Sequence, residues 1–130
     1  MNPATRTAAL RALAPLALMG LIFWSSSQSG GGNIPEWAHV VGHFAEYAAL
    51  AALWIWALGP LVGSRAWPVA AAIALAFAIS DEIHQSFVPG RVSDGFDVLV
   101  DSLGVWAALL AAAYARGSSS TRRTQSHKSG

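Results

Sequence analysis

Four apolar stretches, at about residues 8–25, 40–62, 66–80 and 96–115, are joined by short links, and this layout constrains the chain more than any motif in it. Each stretch approaches the ~20 residues that an α-helix needs to cross a bilayer core, two of them with help from their flanks. A segment that crosses lipid must satisfy its backbone polar groups internally, so all four are expected to be helical. The links agree with that reading. Residues 26–35 are rich in Ser and Gly, and Gly59-Pro60 and Gly63-Ser64-Arg65 separate the second stretch from the third. Before the fourth, Pro89-Gly90 suits the two central positions of a type II turn. The expected fold is all-α, a polytopic antiparallel bundle of four transmembrane helices at about 8–25, 40–62, 66–87 and 96–115, forming one domain over residues 1–116.

Composition supports a membrane solvent and excludes several chemistries. Hydrophobic residues make up 54% and charged residues 12% of the chain, where a soluble domain carries about 25% charged residues, so a water-facing surface could hardly be built from it. Residues 117–130 contain no large apolar residue and cannot offset their ordering entropy, which predicts a disordered cytoplasmic tail. Cysteine is absent, which removes disulfides, thiolate zinc sites and cysteine nucleophiles. Gly-rich phosphate loops, a Gly-x-Ser-x-Gly elbow and His-Glu-x-x-His are absent too. No nucleic-acid partner and no cofactor are expected.

Lys and Arg set the orientation. With the N-terminus in the cytoplasm, Arg6, Arg11, Arg65, Arg116, Arg122, Arg123 and Lys128 fall inside, leaving Arg91 as the outer cation. A rival reading takes the first stretch, with Arg6 and Arg11 before it and Ser25-Ser26-Ser27 after it, as a cleaved secretory signal. Cleavage would leave the orientation of the other three helices unchanged. The acids do not determine topology, so their placement is an independent observation. Glu36, Glu46, Asp81, Glu82, Asp94, Asp97 and Asp101 all fall at the outer end, with His39, His43 and His84.

Spacing sorts these side chains into three patches. On the second helix His39, His43 and Tyr47 are four apart and Glu46 follows His43 by three, so they share a face. His39 and Glu36 read as interfacial residues, whereas His43 and Glu46 lie a turn deeper. On the third helix Asp81 and Glu82 stand four and three residues before Gln85. Ionisable residues within a span usually face the bundle interior, so at least one of these acids should have a partner there, either for function or in a packing knot with Arg91. On the fourth helix Asp97, Asp101 and Gly104 continue into Ala108 and Ala112, a small-residue stripe that permits close helix approach. Asp94 or Asp97 could cap that helix, which leaves Asp101 unexplained. Arg91 suits a carboxylate or a phosphate. An oxygen-rich metal site from Glu82, Asp97, Asp101 and His43 has no recognised ligand spacing behind it, so no metal is expected.

At these residues the sequence resembles the VanZ-like family of bacterial membrane proteins. The resemblance rests on Ser25-Ser26-Ser27-Gln28, on His43-Phe44-x-x-Tyr47-x-x-Leu50, and on Ser80-Asp81-Glu82-Ile83-His84-Gln85-x-Phe87-x-Pro89-Gly90-Arg91, continuing through Ser93 to Asp97 and Gly104. It implies that His43, Tyr47, Glu82, Gln85, Arg91 and Asp97 are the family's characteristic polar positions. This chain departs from the pattern at Asp101, where such proteins tend to carry Asn. The family is named for a protein associated with low-level teicoplanin resistance, so the resemblance implies an envelope setting in the bacterial cytoplasmic membrane. The expected partners are the lipid bilayer and a lipid-linked envelope precursor or a glycopeptide.

Three functions are compatible with these residues. One is a non-catalytic envelope protein acting through an outer polar cluster of His43, Glu46, Tyr47, Asp81, Glu82, Gln85, Arg91, Asp97 and Asp101. Another is an enzyme acting on a lipid or lipid-linked substrate, with the clustered acids and His43 as acid and base. The third is an assembly partner using the stripe of Gly104, Ala108 and Ala112.

Overall fold

The computed structural model describes residues 1–28, 34–91 and 95–126. Asn2 opens the first helix, α1 (Pro3–Ser26): its side-chain oxygen accepts from the Thr5 backbone N–H at 2.8 Å, and Pro3 takes an early position where a missing N–H costs nothing. The second, α2 (Glu36–Val62), begins with Glu36 in its first turn, where a carboxylate complements the helix dipole. Gly63, at φ 57°, ends it, and a 3-10 turn (Gly63–Arg65) leads into α3 (Ala66–Gln85). The next turn has the expected type II features. Gly90 has φ 82° and the Arg91 N–H donates to the Val88 carbonyl at 3.2 Å. The last helix is α4 (Gly95–Ser126).

Three helical runs are long and apolar enough to cross a membrane: Pro3–Ser26, the 50-residue run Glu36–Gln85, and Gly95–Ser119. The middle run is not straight. Tyr47 of α2 meets Phe77 of α3 with ring centroids 6.2 Å apart, so α2 and α3 fold back on each other at Gly63. The core lies along this hairpin, in Tyr47, Leu50, Ala51, Trp54 and Ala57 facing Ala70, Ala71, Ala74 and Ala78, with Val105 of α4. These positions recur at the three- and four-residue spacing of one helix face. Large apolar side chains such as Leu13, Trp37, Phe87 and Leu110 stand exposed outside it, the pattern of a chain solvated by lipid.

Gly104 fixes how α4 meets α2. A Cβ at that position would collide with the Phe44 carbonyl oxygen and come within 3.1 Å of the Ala48 backbone nitrogen, so the two helices approach backbone to backbone. The small-residue stripe is thus used inside the chain at Gly104.

The helix ends differ from the expectation in physically legible ways. Polar starts extend α1 back to Pro3 and α2 back to Glu36, because caps and first-turn acids belong to helices that an apolar count leaves out. Gly59-Pro60 does not break α2. Pro60 cannot donate to the Trp56 carbonyl, but Arg11 Nη1 donates to it at 3.2 Å while the guanidinium sits 4.8 Å from the Trp56 ring centroid, so the orphaned group is satisfied. The third helix stops at Gln85 rather than near 87. The fourth continues through Ser126, into residues expected to be disordered, and the Ser118 and Ser119 hydroxyls donate to the carbonyls three residues before them. The expected cap Asp94, with Ser93 and the Gly-rich link 29–33, lies outside the described residues.

Charge separates along the hairpin. Arg11 lies on Trp56 and Arg116 lies 5.0 Å from the Trp67 ring centroid, which places both toward the end where α2 turns into α3, the end that carries Arg65. The acids of α2, α3 and α4 lie toward the other end.

Candidate functional site

At the acidic end the first polar group joins α1 to α3. Ile22 and Ser26 are buried one turn apart on one face of α1, and that face delivers the Ser26 hydroxyl to α3. Ser26 Oγ donates to Asp81 Oδ2 at 2.7 Å, and Gln85 Nε2 donates to the same oxygen at 2.9 Å and to Ser26 Oγ at 3.3 Å. All three residues are buried, and Asp81 Oδ1 and Gln85 Oε1 have no hydrogen-bond partner. Beside them the Ser27 hydroxyl lies 2.9 Å from His84 Nε2, and Phe23 stacks on the His84 ring at 4.2 Å. Asp81 is therefore held in a hydrogen-bonded knot, but with Ser26 and Gln85 rather than with the expected Arg91, which donates to the Ser25 carbonyl instead.

The second group joins α2 to α4. His43 Nδ1 and Asp101 Oδ1 are 2.9 Å apart, both residues being buried, one turn from the Gly104 contact. That backbone approach brings the two side chains within bonding distance. His39 stacks on His43 with ring centroids 4.5 Å apart, and Asp97 lies one turn before Asp101.

Between these groups opens a cleft of about 500 Å³, whose polar lining includes His39, His43, Glu46, Gln85, Arg91 and Asp97. Arg91 is held at its edge. Its Nη2 donates to the Ser25 carbonyl at 3.1 Å, a favourable cation at the C-terminal end of α1, and its buried Nε has no partner.

The residues singled out from the sequence divide accordingly. His43, Glu46, Gln85, Arg91 and Asp97 share the cleft wall. Asp101 stands behind His43, and Asp81 behind Gln85. Tyr47 lies instead in the hydrophobic core, fully buried, its hydroxyl unpartnered. Glu82 is partly buried, outside the cleft lining, and already engaged in an interaction of its own. Sequence reasoning missed Ser26 as the partner of Asp81 and Gln85, and set His39 aside as interfacial. Their signals were the four-residue spacings Ile22 to Ser26 and His39 to His43.

The arrangement offers three chemistries. Arg91 can hold an anion against the cleft wall. His43, oriented by Asp101, has the geometry of a general base with its orienting carboxylate. The oxygen-rich metal set of Glu82, Asp97, Asp101 and His43 is not gathered among the described residues; the ligand atoms of His39, His43 and Asp97 instead lie within 4.8 Å of one another.

No protein of curated function and no solved structure matches the chain. A family model described as VanZ/LLP1 matches residues 12–116, a span that runs from α1 into α4 and contains every polar cleft residue named above. The chain therefore belongs to the VanZ/LLP1 family.

Proposed function

We propose that this protein crosses the bacterial cytoplasmic membrane four times with both termini inside. In this reading its cleft, at the extracytoplasmic end, engages an anionic envelope molecule and so alters the envelope or its susceptibility to glycopeptides such as teicoplanin. The observation that carries the reading is the cleft itself, lined by Arg91 together with His39, His43 and Asp97, at the end opposite Arg11, Arg65 and Arg116. The positive-inside rule puts the basic end in the cytoplasm, together with the Arg-rich segment that follows. Four spans are supported by length. α2 and α3 have 27 and 20 residues, or about 40 and 30 Å at the helical rise, each reaching across a hydrocarbon core of about 30 Å.

The test is teicoplanin susceptibility in a host lacking the gene, complemented with wild type, Arg91→Ala or Asp97→Ala. The variants are expected to insert normally and to fail to restore the wild-type susceptibility. If deletion and overexpression both leave susceptibility unchanged, the envelope reading is wrong.

One observation favours a second reading, an enzyme acting on a lipid or lipid-linked envelope substrate. The His43–Asp101 pair lines and backs the same cleft as Arg91, so a base and an anion-holding cation face one space. Envelope-lipid profiles by mass spectrometry should then differ between wild type and His43→Ala. Profiles that are identical for wild type, His43→Ala and the deletion would remove this reading.

A further inference from the structure

We propose that His39, His43 and Asp97 form a binding site for a divalent first-row transition metal of the zinc type, with Asp101 orienting His43 from behind. The two histidines come from successive turns of one face of α2, and the carboxylate comes from α4, which Gly104 holds against that face. Their ligand atoms already lie within 4.8 Å of one another. Metal bonds of about 2.0–2.1 Å in a tetrahedral site set ligand atoms about 3.4 Å apart, so the site closes with shifts of about 1.4 Å or less in which His39 leaves its stack on His43. Two imidazoles and one carboxylate suit zinc, cobalt, iron or manganese better than calcium or magnesium, which take oxygen ligands.

Asp101 gives the site its second element. Its Oδ1 lies 2.9 Å from His43 Nδ1; with Asp101 ionised, the Nδ1–H donates to it and Nε2 is left to ligate. A carboxylate behind a ligating imidazole is the recurrent supporting contact of protein metal sites, where it fixes the tautomer and raises ligand basicity. All three ligands line the cleft, so the remaining coordination positions face a space open to water and to an incoming anion, with Arg91 on the same wall system. The metal site does not depend on the envelope role, because its test reads metal alone.

The experiment uses the untagged full chain, purified in detergent and stripped with a chelator, then titrated with Co²⁺ followed by visible absorption. Bound Zn²⁺ is counted by elemental analysis. Wild type is expected to take up a single equivalent of Co²⁺ with an imidazole-type ligand-field spectrum that Zn²⁺ displaces. His39→Ala and Asp97→Ala should abolish that spectrum, and Asp101→Asn should weaken binding by roughly 10- to 100-fold without abolishing it. His84→Ala, which alters the histidine held between Phe23 and Ser27, should bind as wild type does. Should the variants fail to fold, the wild-type spectrum and the stoichiometry still decide. Wild type that takes up no specific equivalent overturns the proposal, as does binding that survives in folded His39→Ala and Asp97→Ala.

Discussion

Gly104→Ala is the substitution whose effect the structure defines most sharply. The added Cβ would fall on the Phe44 carbonyl oxygen, 3.2 Å from the Phe44 carbonyl carbon and 3.1 Å from the Ala48 nitrogen, all backbone atoms of a helix that cannot turn aside as a side chain could. Restoring ordinary contact requires α4 to move about 1 Å away from α2. That movement unpacks Val105, which is fully buried in the core shared with α2. Overpacking of this kind costs about 1–3 kcal/mol. The effect also reaches the cleft. His43 adjoins Phe44, and Asp101 lies one turn before Gly104, so the 2.9 Å contact between them would stretch to about 3.9 Å, beyond hydrogen-bonding range. Thermal unfolding in detergent, followed by circular dichroism and tryptophan fluorescence, should show a lower midpoint for Gly104→Ala and a still lower one for Gly104→Leu. The same preparations should show weakened Co²⁺ uptake. Unchanged midpoints for both variants would refute the backbone contact on which the site geometry depends.

Other expectations follow from single contacts. Arg11→Met removes the side-chain donor to the exposed Trp56 carbonyl and should cost about 0.5–1.5 kcal/mol, while adding Pro60→Ala restores an N–H to that carbonyl and should recover much of the loss, a coupling readable as a double-mutant cycle of unfolding midpoints. Ser26→Ala removes one of the two donors to Asp81 Oδ2 in a buried setting and should also cost about 1–3 kcal/mol in the same assay. Tyr47→Phe deletes a buried hydroxyl that has no partner, so stability should hold or rise and any teicoplanin phenotype should persist; loss of that phenotype in a stable Tyr47→Phe protein would place Tyr47 in the functional machinery after all.

Much of this architecture is written in local sequence. Apolar length marks the helices, Pro89-Gly90 marks its turn, and Gly104 with Asp101 marks a close crossing with an acid beside it. What periodicity cannot supply is pairing between helices. Nothing in the spacing of α3 says that Asp81 will meet Ser26 rather than Arg91, because that choice depends on how α1 is rotated against α3. Pro60 shows the same limit. Its ring is a break signal within one segment, and the donor that replaces its missing N–H comes from Arg11, 45 residues away in sequence. Tyr47 shares a face with His43 by spacing, yet one further turn carries it from the cleft wall into the core.

The central claim is that the cleft opens on the extracytoplasmic side, and the cysteine-free sequence provides a clean background for testing it. Single cysteines at exposed positions near the two ends, Gln28→Cys and Ser86→Cys at the cleft end against Ser64→Cys and Ser118→Cys at the basic end, would be treated in intact cells with a membrane-impermeant maleimide. With the cleft outside, the cysteines at 28 and 86 are labelled in intact cells, and those at 64 and 118 only after permeabilisation. Labelling at 64 and 118 in intact cells, with 28 and 86 protected until permeabilisation, would put the cleft in the cytoplasm and contradict that claim.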